Sequence, residues 1–81
     1  MEEKKTLLTY AGLTKLEDEL HDLKVNKRKE VADKIKEARE QGDLSENAEY
    51  DAAKDEQRDI EATIEEIEKI LKNAEVVVED E

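Results

Sequence analysis

With 81 residues, 36% of them hydrophobic, the chain can form one domain at most and cannot enclose a large core. A 48% charged composition without Phe, Trp or Cys lies between a disordered chain and a coiled coil, and it rules out disulfides, a thiol nucleophile and a thiolate zinc site. The net charge of −11 is one-sided: residues 1–41 hold ten Lys/Arg and ten Asp/Glu and residues 42–81 hold four and fifteen, which disfavours duplex DNA and suits a basic protein partner or a metal ion.

Residues 1–9, an N-terminal segment, mix charges and lack the apolar stretch of a secretion signal. No apolar run approaches the roughly 20 residues that span a bilayer. A membrane location is therefore not expected, and a reducing cytoplasm is. Thr9 is placed to cap a helix beginning at Tyr10, with Thr14-Lys-Leu-Glu17 as a competing capping box. Apolar residues then fall at Leu13, Leu16, Leu20 and Leu23, the spacing of a coiled-coil seam, and resume at Val31, Ile35 and Ala38. Lys27 takes the intervening seam position, and the four-residue steps from Leu23 to Ile35 predict a stutter, a local unwinding of the supercoil. The chain has no proline, so the first helix is predicted over 10–41. Gly42 supplies the left-handed residue that ends it.

Residues 42–45 form the link, in which Asp43 or Ser45 caps the next helix and Asp43-x-x-Glu46 matches the acidic variant of a capping box. The second helix is predicted over 46–74. Its seam is regular: Tyr50, Ala53, Gln57, Ile60, Ile64, Ile67, Leu71 and Ala74 alternate steps of three and four. The polar seam residue Gln57 is expected to face Lys27 to Val31 and fix the register. Two helices of about 30 residues joined by so short a link must run antiparallel, giving a hairpin about 45 Å long. Residues 75–81 end the chain after three valines with strand propensity but no predicted partner strand, and read as a frayed tail or linker stub.

The fold class is therefore all-α: a long two-helix antiparallel coiled-coil hairpin with an acidic tip, comprising residues 10–74. Such a hairpin leaves half of each helix wet, so marginal stability and weak self-association are expected.

The tip gathers Asp43, Glu46, Glu49 and Asp51. Acidic residues in a first helical turn are ordinary dipole partners. A calcium-binding EF-hand is excluded, because counting from Asp43 puts Ala48 where Gly is needed and Lys54 where Glu is needed. His21 has no metal-ligand partner in the sequence and is expected to be exposed. The run Lys27-Arg28-Lys29 reads as a solvated face. Leu44 and Tyr50 read as packing residues.

The segment EAREQGDLSENAEYDAAKDEQ, residues 37–57, resembles the tip of the bacterial transcript cleavage factors of the Gre family. LTYAGLTKLEDELHDLK and IEEIEKILKNAEVV extend the resemblance over about residues 6 to 78. The resemblance implies an N-terminal coiled coil that enters the secondary channel of RNA polymerase. There the tip would stimulate the polymerase's own cleavage of backtracked RNA at its extruded 3′ end, so the chain would be a cofactor and not itself an enzyme. The family's two tip acids fall on Asp43 and Glu46, implied to help hold a second Mg²⁺ shared with the polymerase; the isolated chain is not expected to bind it tightly. Arg39 and Lys54 fall on the family's basic spot, implied to contact RNA phosphates. Family members continue into a C-terminal globular domain of FKBP-like fold, which makes residues 75–81 the stub of a linker to it. Two other functions fit less of the sequence. One is a channel-binding regulator that does not stimulate cleavage, against which the intact acids argue. The other is a structural coiled coil pairing with a basic partner.

Overall fold

A computed structural model describes residues 5–42 and 47–78. In chain order the elements are strand β1 (Thr6–Thr9), helix α1 (Tyr10–Asp22), a π-helical turn (Leu23–Lys27), helix α2 (Arg28–Glu40), helix α3 (Ala48–Lys72) and strand β2 (Ala74–Val77). The all-α hairpin expected from the heptads is the observed architecture: α1, the π turn and α2 form one continuous limb, and α3 returns antiparallel to it.

Thr9 starts the first limb, its Oγ1 accepting from the Gly12 N–H at 3.1 Å; Thr14, the competing cap, lies inside α1. The predicted stutter takes the form of the π turn. Its wider hydrogen-bonding places the Arg28 N–H on the Leu23 carbonyl, adding a residue to the turn so that the seam re-enters phase at Val31. Asn26 Nδ2 donates to Asp22 Oδ1 at 2.7 Å across this segment.

Among the described residues the buried ones are Val31, Ile35, Ala38, Ala53, Ile64 and Ile67, all on the predicted seams. Val31, Ile35 and Ala53 cluster near the tip, with Tyr50 and Ile60 packed against them. Among the described residues three ion pairs lace the limbs together, each with its cation on the first limb and its anion on α3. Lys24 Nζ meets Glu68 at 2.6 Å, Lys34 Nζ meets Glu56 at 3.1 Å, and the Arg28 guanidinium grips both oxygens of Glu61 at 2.7 Å each. This hydrogen bonding holds the Glu61 carboxyl below its ordinary pKa, against a smaller opposing effect of desolvation. These pairs fix the register. Gln57 follows Glu56, the partner of Lys34, and its Oε1 accepts from Lys54 Nζ on the same helix.

The valine tail requires a larger correction. Ala74–Val77 is not frayed: β2 pairs in parallel with β1, with Thr6 opposite Ala74 and Thr9 opposite Val77. The Thr6 N–H also donates to the Asn73 carbonyl at 2.9 Å. Parallel strands need a long crossover connection, and here the entire helical hairpin provides it. The molecule measures 58 × 29 × 16 Å, a rod with the strand ribbon at one end and the end of α2 and start of α3 at the other.

Candidate functional site at the hairpin tip

The described part of the tip consists of the last turn of α2 and the first two turns of α3. Gln41 and Gly42 close α2, their N–H groups donating to the carbonyls of Ala38 and Arg39 at 3.2 Å each. Gly42 has φ +108, a conformation that a side chain disfavours, as its predicted helix-ending role required. Asp43, Leu44, Ser45 and Glu46 lie outside the described residues, and with them the two acids singled out by the resemblance and both predicted caps.

The cap of α3 is Asn47, which sequence reasoning passed over. Its Oδ1 accepts from the Tyr50 N–H at 3.1 Å, and its Nδ2 donates to the Ala38 carbonyl at 2.6 Å. The available signal was an asparagine directly before Ala-Glu-Tyr-Asp, a strong capping residue ahead of a first turn rich in acids. Helix α3 therefore begins at Ala48, two residues later than predicted, with Glu49 and Asp51 in its first turn.

Both predicted basic residues are exposed and near the tip. Arg39 lies in the last turn of α2, where a cation complements the helix dipole. Lys54 donates from Nζ to Gln57 Oε1 at 3.1 Å along its own helix. No interaction joins the two among the described residues. Tyr50 is half-buried against the core, in line with its packing role, and His21 is exposed as predicted. An open groove of about 330 Å³ runs along one side of the seam below the tip, floored by Ala38, Ala52 and Ala53 and edged by Lys34, Glu37, Glu49 and Glu56.

Among the described residues no group of three or more His, Asp or Glu is arranged to hold a metal ion. Asp43 and Glu46 are only two carboxylates, whereas Mg²⁺ takes six oxygens in a near-octahedral shell. Such a donor pair suits an ion whose remaining ligands come from elsewhere. No helix among the described residues is long and apolar enough to cross a membrane.

The fold and tip define a rod-shaped helical hairpin that carries its polar turn at one end. Residues 6–76 match the family described as transcription elongation factor, N-terminal, and the chain belongs to that family. It is 86% identical, over all 81 residues, to transcription elongation factor GreA of Lachnoclostridium phytofermentans, covering 51% of that protein. It is 55% identical over 80 residues to GreA of Halalkalibacterium halodurans, covering 99% of this chain and 51% of the relative. With GreA of Thermoanaerobacter pseudethanolicus the identity is 59% over 78 residues, covering 96% and 50%. The chain thus spans about half the length of the curated relatives it matches.

Proposed function

We propose that this elongation-factor domain enters the secondary channel of bacterial RNA polymerase and stimulates the polymerase's own cleavage of backtracked RNA. The observation that carries the reading is that Gly42 and Asn47, the described residues flanking Asp43 to Glu46 in the family-matching segment GDLSENAEY, stand where the two helices of a narrow rod end. A rod 29 × 16 Å in its smaller dimensions suits delivery of side chains into a confined active centre.

In this reading Asp43 and Glu46 act as carboxylate ligands at the polymerase's active centre. A second Mg²⁺, shared with the polymerase, would supply charge stabilisation for phosphodiester hydrolysis. The chain's own contribution is placement: Gly42 and Asn47 fix where the acidic segment leaves and rejoins the helices. Arg39 and Lys54, exposed beside the tip, are suited to RNA phosphates near the 3′ end. The excess of negative charge in residues 42–81 fits a protein partner and gives no basis for duplex DNA binding. The domain serves as cofactor to another enzyme's reaction, and its site of action is the cytoplasm.

The test adds the chain to a backtracked bacterial polymerase complex with Mg²⁺ and follows labelled RNA on a gel. RNA shortening that disappears in Asp43→Ala and Glu46→Ala is the expected result. Tight binding without shortening would overturn the cleavage reading and favour a channel-binding regulator.

A further inference from the structure

The segment between α2 and α3 must reverse the chain between Glu40 and Ala48. Each helix end leaves backbone groups without partners within the helix: carbonyls at the end of α2 and N–H groups at the start of α3. Asn47 ties the two helix ends together with a single side chain, capping one free N–H of α3 and adding a second hydrogen bond to the Ala38 carbonyl, which already accepts from the Gln41 N–H. Its carbonyl oxygen takes the Tyr50 N–H, and its amide nitrogen gives a 2.6 Å hydrogen bond to the Ala38 carbonyl.

Both anchors are firm. Ala38 is buried in the seam, and Tyr50 packs against the Val31, Ile35 and Ala53 cluster. On the other side of the link, the Gly42 N–H is held by the Arg39 carbonyl, next along α2 from Ala38. Gly42 and Asn47, which flank the segment on either side, are therefore both tied to the same turn of α2.

We propose that Asn47 is a positioning residue for the cleavage reaction, acting as a two-way staple that sets the span carrying Asp43 and Glu46. The inference rests on the cleavage reading and adds a residue to it. The chemistry separates the staple from ordinary capping. Asp matches Asn as an N-cap acceptor, but an ionised Asp has no hydrogen to donate to Ala38. Ser also caps, and its short hydroxyl stops well short of a carboxamide's reach. Either replacement keeps the start of α3 and removes the tie to α2. Catalytic groups must be held to a fraction of an ångström, and a displacement of about 1 Å costs roughly 10²-fold in rate.

The experiment compares the wild-type chain with Asn47→Asp and Asn47→Ser in the backtracked-complex assay, measuring the saturating cleavage rate and the affinity for polymerase separately. Circular dichroism reports helicity, and ¹⁵N NMR of the isolated chain reports the backbone amides of residues 42–46. Both variants are expected to keep helicity and to bind within about twofold of wild type. Their saturating cleavage rates are expected to fall roughly 10- to 100-fold, with shifted tip amide signals in the free chain. The neutral Ser variant guards against an effect of the added Asp charge. A slow Asp variant beside a Ser variant of wild-type speed would overturn the inference, as would unmoved tip signals or wild-type cleavage by Asn47→Asp. If the wild-type chain itself gives no cleavage, the cleavage reading fails and takes the positioning role with it.

Discussion

Replacing Ile64 by Ala tests where the stability of the rod resides. Ile64 is 2% exposed and lies on α3 between Glu61 and Glu68, whose partners are Arg28 and Lys24. It therefore faces the limb at the π turn, away from the cluster near the tip. The substitution removes three carbons, about 2.4 kcal/mol at ~0.8 kcal/mol per buried methylene. A residual cavity adds to this, while the better helix propensity of Ala returns at most about 0.7 kcal/mol. The flanks of a two-helix hairpin are open, so neighbours can partly close the gap. The expected loss is about 2–3 kcal/mol, against a total stability of roughly 4–12 kcal/mol for a domain of this size. Thermal denaturation followed by circular dichroism should show a Tm lower by roughly 10–20 °C. Val25→Ala is the control: Val25 is 52% exposed on the π turn and should cost less than about 0.5 kcal/mol. Equal losses in the two variants would refute the assignment of the core to the seam. A wild-type Tm that rises with protein concentration would show that self-association contributes to the burial.

Gly42→Ala meets no neighbouring atom within 4 Å but must hold φ at +108, so a loss of about 1 kcal/mol or more from backbone strain alone is expected in urea denaturation. Thr9→Ala removes the acceptor for the Gly12 N–H and is expected to cost about 1 kcal/mol, with Thr9→Ser near wild type in the same assay. The Arg28–Glu61 pair gives a pH signature. Because the folded-state pKa of Glu61 is depressed, its contribution is present above the ordinary glutamate value, about 4.3, and is lost as pH falls through the lower folded-state value. The stability difference between wild type and Glu61→Gln should therefore be present at neutral pH and vanish in acid; a difference that persists unchanged in acid would refute the linkage.

The hairpin was legible because its signal is periodic. Among the described residues the six that are buried stand at positions that the three-four spacing selects, and Gly42 marks the end of the first limb. The four-residue steps after Leu23 indicated an unwinding, though not that it would be a π turn, since periodicity reports phase and not hydrogen-bond partners. The strand pair was not legible, because its two members lie on either side of the whole hairpin and no local pattern links Thr6 to Ala74. At the candidate site, Arg39 and Lys54 were found by resemblance and lie near the tip. Asn47 was missed because several polar residues of the link were equally plausible caps, and the choice among them depends on which one can also reach Ala38 across the turn.

With six residues buried among those described, the rod has too little core to hold its shape by burial alone, and the placement of its polar contacts follows from that. Hydrophobic contacts along a seam resist separation of the helices but only weakly resist sliding, because one Ile step resembles the next. Sliding by one turn would move the tip by about 5.4 Å. The contacts that oppose it are directional. The bidentate Arg28–Glu61 pair sits mid-rod, the parallel strand pair ties the base, and Asn47 bridges the two helices at the tip. Each exposed ion pair adds little to overall stability. Their value is in register, which decides where the end of the rod stands relative to its base. For a domain proposed to act through two carboxylates at that end, register is the property on which function depends.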